Sequence, residues 1–475
     1  MSFKRFFVFF SAALLFCAGA GASQQPGDSI TQLLKTPVLA DAVVGFLIRD
    51  LDSGEMLYEL NPDRIMIPAS NLKLVTAASA ILELSPDFRY QTDYFLKNFD
   101  SSTGKAGGIY IKGYGDPTLS GDFYQDSQQA ADERAKELYN AGLREINGVM
   151  WLDGSFFSDN KRPETWEEED LDWCYAVRPG ALSAGGNCIL VKATGATSAS
   201  GPVIEFDPPI EPSLVKMDIK SYRKSNSKIV ITQNSKGFVT VSGGVRIGNE
   251  KEFEYPVPYP DKLFGSVMIA AMKRAGIKVN VDMRDRKDVP PGYKFFKRLE
   301  SVNLMVTLAE MEKYSDNFVA EQTLRVLGAL RGTAGSHPEG AKVISNVMKR
   351  YKFAEEENLT VVDGSGLSRE NRLTPEILLS LLTGFYNSYL QKQFPRLLAE
   401  PGKKGTLEKR VAGTEAEGRL WAKTGALRGV CSLSGYFRRS NGSMAAFVLI
   451  ITGYTVHSNH IRDLQDEIVM CMMKY

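Results

Sequence analysis

Apolar positions fall into three textures along the chain. Residues 43–49 and 56–60 are two apolar runs separated by Asp52-Ser53-Gly54, a turn signal, and they predict paired strands. Past Pro68-Ala69-Ser70, the residues Leu72, Val75, Thr76, Ala80, Ile81 and Leu84 recur at helical spacing and predict a buried helix that starts at Ser70. From about Tyr90 to Lys297 short β-like runs (108–112, 149–152, 228–232 and 238–241) alternate with Gly, Pro, Asn and Ser. Within this stretch residues 221–228 read as a polar loop or exposed hairpin edge, and 263–275 as a helix ended by Gly276. From Val302 helical spacing dominates, over 302–313, 318–330, 341–351 and 374–390. The last of these opens Thr374-Pro375-Glu376, an N-cap residue followed by Pro at the first helical position. Strands are expected again at 420–423, 430–436 and 445–451. A final helix carries Ile461, Leu464, Ile468, Val469 and Met472 on one face. The pattern is that of an α/β (α+β) domain interrupted by a long β-rich insertion.

The first residues have a different purpose. Lys4 and Arg5 precede an apolar run over 6–17, followed by Ala18-Gly19-Ala20-Gly21-Ala22-Ser23, so residues 1–22 read as a secretory signal peptide cut after Ala20 or Ala22. The run is too short to span a bilayer comfortably. Phe16, large where lipoprotein sites have a small residue, argues against lipidation at Cys17. No other segment is long and apolar enough to be transmembrane, so the mature chain is expected to be soluble in an oxidising compartment, the periplasm or cell envelope. The balance of 57 Lys+Arg against 56 Asp+Glu removes the electrostatic case for nucleic acid, which needs a concentrated cationic excess. Three histidines, scattered, point to chemistry that does not centre on imidazole. Four of the five cysteines lie beyond the signal segment and permit three pairings. Cys174 and Cys188 flank a turn-rich stretch and are the favoured pair. Cys431 and Cys471 are either a second bridge or two separate thiols.

Three short motifs could carry chemistry. Ser70-Asn71-Leu72-Lys73 places a lysine just under one helical turn from a serine, where the amine can take the hydroxyl proton if burial and neighbouring positive charge lower its pKa. The same spacing occurs at Ser102/Lys105, Ser158/Lys161, Ser213/Lys216, Ser221/Lys224 and Ser225/Lys228, all in polar or β-like context, whereas Ser70 opens a strongly apolar helix. The simpler alternative makes Ser70 an N-cap and Lys73 a solvated first-turn residue. Ser315-Asp316-Asn317 sits between two helical runs; its hydroxyl can relay a proton and its amide can bind a peptide backbone, although Ser158-Asp159-Asn160 has the same letters and a plain helix cap is the alternative. Lys423-Thr424-Gly425 ends an apolar strand. An edge strand there could pair with an extended peptide, with Lys423 and Thr424 facing its carboxylate and Gly425 keeping the approach open. The N–H groups of Ala426 and Ser70 suit a developing oxyanion. A surface strand end is the alternative.

The order of the three motifs, each in its helix, loop or strand context, is far more specific than any one of them. With IPASNLKLVTAASA (67–80), GYGDPTLS (113–120), SDNFVAEQ (315–322), DGSGLSR (363–369) and AKTGALRGVCSLSGY (422–436), the chain resembles the class C low-molecular-mass penicillin-binding proteins. These are D-alanyl-D-alanine carboxypeptidases and endopeptidases with a large insertion after the first motif. The resemblance implies a transpeptidase domain like that of serine β-lactamases, formed by 23–89 and 298–475. It also implies two β-rich inserted domains, one of 90–200 with 256–297 and one of 201–255. It implies Ser70 as nucleophile, Lys73 as its base, Ser315 as proton relay and Asn317 as a ligand of the substrate backbone. Lys423, Thr424, Gly425 and Ala426 would bind the substrate. Asp153 matches an aspartate that faces the amine of the stem-peptide diamino acid, the alternative being a surface aspartate at a strand end. Arg369 is expected to reach the substrate or to be an ordinary solvated arginine. Arg428 is expected to recognise carboxylates or to sit at the rim. The Cys174–Cys188 pair has a counterpart in some relatives. Peptidoglycan stem peptides are the implied partners and β-lactams the implied covalent inhibitors, with no metal or organic cofactor. A serine β-lactamase and a catalytically idle peptidoglycan-binding protein are the competing functions, and the balance of carboxypeptidase and endopeptidase stays open.

Overall fold

The expected hairpin of Val43–Asp50 and Met56–Leu60 lies at one edge of a five-stranded antiparallel sheet whose order continues through Met444–Thr452 and Val430–Arg438 to Leu420–Leu427 at the other edge. The computed structural model describes residues 26–196, 201–223 and 228–475, so the expected signal segment lies outside the described residues. Both faces of this sheet are buried. Phe46, Ile48, Leu449 and Ile451 pack with Ile30, Ile461, Ile468 and Met472 of the helices Pro26–Leu33 and Ser458–Met472. The alternate residues Leu47, Val448 and Ile450 join a second core built on the helices Leu72–Leu84, Leu304–Lys313, Asn317–Arg331, His337–Arg350 and Pro375–Tyr386. Successive side chains of a strand point to opposite faces, so a strand covered on both sides reads as a continuous apolar run. Thr374 precedes the helix Pro375–Tyr386 as its N-cap residue, with Pro at the first position, and that helix ends before the expected limit of 390.

The insertion has its own core. A second five-stranded sheet, in the order Lys278–Asp285, Glu145–Asp153, Lys105–Gly113, Arg89–Lys97 and Tyr293–Asn303, packs against the helices Ser127–Asn140 and Pro260–Arg274. The chain enters by Arg89–Lys97 and returns by Tyr293–Asn303, and these two strands pair antiparallel. One ribbon therefore joins the insertion to the catalytic domain. Two three-stranded sheets complete it: Val215–Tyr222, Val239–Arg246 and Val230–Gln233 in one, Glu250–Pro256, Cys188–Thr194 and Val203–Asp207 in the other. Two expected borders fall inside these units. The limit at 297/298 cuts the strand that runs to Asn303, and the limit at 200/201 separates strands paired in one sheet. Residues 221 and 222 end a strand instead of opening a loop, while 224–227 lie outside the described residues. No helix among the described residues is long and apolar enough to cross a membrane.

Candidate active site

Ser70 lies in a 3₁₀ turn, Ala69–Asn71, that runs directly into Leu72–Leu84. It is not the N-cap; that position falls to Asn71. Nor is Lys73 solvated. It is fully buried, and its Nζ donates to Ser70 Oγ at 3.0 Å, Asn317 Oδ1 at 2.7 Å and the Ser365 carbonyl at 2.7 Å. Burial disfavours the ammonium and pushes the Lys73 pKa down to about 8, although Glu312, Asp363, Glu321 and Asp316 oppose the drop. The expected neighbouring positive charge acts on the other lysine. Lys423, also fully buried, is pushed down to about 7 by burial first and by the charge of Lys73 second.

Glu312 was not singled out by its sequence context. It is fully buried on Leu304–Lys313, and neither carboxylate oxygen has a hydrogen-bond partner among the described residues. Burial raises its pKa to about 7 against the pull of Lys423 and Lys73. Two lysines and one carboxyl thus share a buried compartment next to Ser70, where each charge state depends on the others.

Asp316 caps Asn317–Arg331 by accepting from the Val319 N–H at 3.0 Å, so the motif does form the helix cap expected as its alternative. The cap leaves Ser315 at φ 62° and sets Asn317 at the start of the helix. Asn317 accepts from Lys73 with Oδ1 and donates with Nδ2 to the Tyr175 carbonyl at 3.0 Å. Tyr175 belongs to the insertion and follows Cys174, which is bonded to Cys188 as expected. Cys431 and Cys471 form no second bridge.

The Asp363–Arg369 loop closes the site from below. Asp363 accepts from the N–H groups of Gly366 and Ser368, from Asn371 Nδ2 and from Trp166 Nε1. Glu321 accepts from the N–H groups of Gly364 and Ser365 and lies 3.1 Å from His337 Nε2. Together they fix the Ser365 carbonyl that Lys73 uses. Gly366, at φ 82°, approaches so closely that a Cβ there would lie 1.9 Å from the Ala69 carbonyl oxygen.

Leu420–Leu427 is the sheet edge that runs past Ser70. Asn71 Nδ2 donates to the Lys423 carbonyl at 3.1 Å, and Ser432 Oγ donates to the Pro68 carbonyl at 2.8 Å, tying turn to sheet. A Cβ on Gly425 would lie 2.2 Å from Ser432 Oγ and 3.0 Å from the Ser70 nitrogen. Thr424, Gly425 and Ala426 line a cleft of about 670 Å³ together with Ser70 and Ser315. Lys423 does not line it: its Nζ points inward and donates to the Thr424 carbonyl at 2.8 Å.

The remaining expected residues stand apart. Asp153 ends Glu145–Asp153 but is fully buried, which overturns the surface alternative. Its carboxylate accepts from the Tyr110 hydroxyl and the Ser155 N–H and lies 3.6 Å from Lys112 Nζ. None of these contacts reaches the Ser70 cluster. Arg369 Nη2 donates to the Arg428 carbonyl at 2.9 Å, and both guanidinium groups lie within 4 Å of Glu167, so Arg369 is tied into a charged rim and not simply solvated. Arg428 also lies 3.5 Å from Glu169.

Residues 27–475 match the D-Ala-D-Ala carboxypeptidase 3 (S13) family. A D-alanyl-D-alanine carboxypeptidase from Actinomadura sp. (strain R39) is 27% identical over 462 residues, which cover 94% of this chain and 84% of the relative. The D-alanyl-D-alanine carboxypeptidase DacB of Haemophilus influenzae is 26% identical over 430 residues, covering 87% and 86%. Among solved structures, penicillin binding protein 4 of Haemophilus influenzae superposes with a TM-score of 0.76 at 22% identity, over 94% of this chain and 99% of that one. A predatory endopeptidase from Bdellovibrio bacteriovorus gives 0.52 at 15% identity, over 91% and 94%. These solved structures share the fold, insertion included.

Proposed function

The chain belongs to the D-Ala-D-Ala carboxypeptidase 3 (S13) family of serine hydrolases, and from that premise we propose how its own residues act on peptidoglycan stem peptides. Ser70 Oγ attacks the carbonyl carbon of the penultimate D-alanine and passes its proton to neutral Lys73 Nζ. The oxyanion accepts hydrogen bonds from the N–H groups of Ser70 and Ala426. Asn317 holds the substrate backbone, and Thr424, with the charge of Lys423 behind it, holds the terminal carboxylate. As the tetrahedral intermediate collapses, the proton moves from Lys73 through the Ser315 hydroxyl to the leaving amine. Water then attacks the Ser70 ester, with Lys73 again the base. A β-lactam, an acylating mimic of the terminal dipeptide, acylates Ser70 by the same first step. Residues 1–22 direct the chain to the cell envelope, where these peptides are.

One observation carries the proposal: a fully buried lysine amine, with its pKa brought down to about 8, placed 3.0 Å from the Ser70 hydroxyl. Incubating wild type and Ser70→Ala with monomeric pentapeptide and cross-linked muropeptides tests it. Wild type releases D-alanine or splits the cross-link and the variant does neither. An inert wild type, or a variant that cleaves equally well, overturns it.

A further inference from the structure

The cleft extends well past the reacting atoms. From Ser70, Ser315 and Thr424 it continues to a polar end walled by Thr406, Lys409, Arg462 and Asp463. In the proposed mechanism Ser315 lies on the proton's route to the leaving amine, and Ser315 lines the same cleft as this polar end. The whole cleft, reacting atoms included, has a volume of about 670 Å³, in the range that accepts a drug-sized ligand and more than a single departing alanine needs.

The charges there are arranged for an anionic occupant. Arg410 is engaged by Asp466, at 2.7 and 3.0 Å, and by Gln465 Oε1 at 3.2 Å. Lys409, by contrast, is exposed and makes no hydrogen bond or ion pair among the described residues. Among the described residues the Arg462 guanidinium makes one hydrogen bond, to Asn459 Oδ1 at 3.4 Å. Thr406 lines the wall, and its buried Oγ1 makes no hydrogen bond among the described residues. Asp463 lines the same end of the cleft.

We propose that this end of the cleft is the subsite for the leaving half of a cross-linked stem peptide, with Lys409 and Arg462 selecting it through carboxylates it carries beyond the one beside the scissile amine. The assignment rests on Ser70 being the nucleophile and deepens that proposal by naming the substrate for which the cleft is built. D-alanine, with no further carboxylate, cannot reach Lys409 and Arg462 while its own is held at Thr424. Exposed cations act modestly and are screened by salt, so they set preference and not turnover as such.

The test compares kcat/KM for a cross-linked muropeptide dimer with that for the monomeric pentapeptide, in the full-length mature protein. In Lys409→Ala/Arg462→Ala the ratio falls about tenfold, mostly through KM, and in Lys409→Glu/Arg462→Glu it falls further. Raising NaCl lowers the wild-type ratio and leaves that of the double alanine variant nearly flat. A ratio within about twofold of wild type in both variants overturns the subsite. So does a wild type that trims the pentapeptide and leaves the dimer intact, an outcome under which the Ser70 chemistry stands. If wild type neither takes labelled penicillin on Ser70 nor cleaves either peptide, the parent proposal and the subsite fall together.

Discussion

At Lys73 burial and neighbouring charge pull in opposite directions. Desolvation alone would drive the amine toward neutrality, while Glu312, Asp363, Glu321 and Asp316 hold its proton on, and the result, about 8, leaves a usable fraction of free base near neutral pH. In the proposed mechanism the neutral amine is the reactive form, so kcat/KM for D-alanine release is expected to rise as pH rises through about 8. In Glu312→Gln one proton-retaining charge disappears, the Lys73 pKa falls, and the rising limb moves to lower pH. A pH–rate profile of the two proteins checks this, and an unmoved or alkaline-shifted limb contradicts it. Ser70 and Lys73 were legible in the sequence because the base proposed here must stand just under one turn from its nucleophile, a spacing that a motif can show. Glu312 was not. In the run 302–313 it stands among Glu310 and Lys313, and nothing local separates a buried acid from a solvated one. Its burial arises only when the helix carrying Lys73 and the strand carrying Lys423 close over it.

Among elements, the contact between the Ala69–Asn71 turn and the edge strand Leu420–Leu427 sets the oxyanion site proposed above. Only the absence of a side chain at Gly425 lets the strand lie this near the Ser70 nitrogen. Gly425→Ala must shift the strand or Ser432, and β-lactam acylation is expected to slow by roughly 10²-fold, comparable to losing one oxyanion donor, while circular dichroism still reports a folded protein. Acylation at the wild-type rate would show that the strand can yield at no cost to the site. The catalytic elements were legible because their helical and apolar runs are long and their cores large. Others were not, for specific reasons. Ser127–Asn140 buries Ala130, Ala131, Ala135 and Leu138 on one face, but alanines give a weak hydrophobic stripe. Lys278–Asp285 alternates Val279, Val281 and Met283 with Asn280, Asp282 and Arg284, so its average reads as polar although its period is that of a strand. Tyr175 contributes a backbone carbonyl to Asn317, and a carbonyl leaves no mark in sequence.

Across the whole molecule the insertion is packed into the candidate active site and is not an appendage. Phe157, Val177 and Ala181, all within it, are buried in the core of the catalytic domain, and Arg325 of the catalytic domain is fully buried under the carbonyls of Asp159 and Lys161. Trp166 Nε1 donates to Asp363 Oδ2 at 2.9 Å and so helps hold the loop that presents the Ser365 carbonyl to Lys73. Trp166→Phe removes that donor and leaves a buried carboxylate short of a partner, a loss of about 1–3 kcal/mol in stability. It is expected to slow acylation more than it raises KM, since the loop bears on Lys73 and not on the bound peptide. Thermal unfolding and acylation kinetics on the same preparation separate the two effects, and a destabilised protein with an unchanged acylation rate would detach the insertion from the chemistry. This coupling could not be read from the sequence, which showed where the insertion begins and ends only to within a strand.

The central claim, that Ser70 is acylated with Lys73 as its base, is tested most directly by time-resolved intact-mass measurement of the mature protein mixed with a penicillin, followed by peptide mapping. Wild type is expected to gain one penicilloyl adduct, mapped to Ser70. Ser70→Ala should gain none, and Lys73→Ala should gain it about 10²–10⁴ times more slowly. An adduct on Ser70→Ala, a label that maps to another residue, or a Lys73→Ala rate equal to wild type would contradict the account.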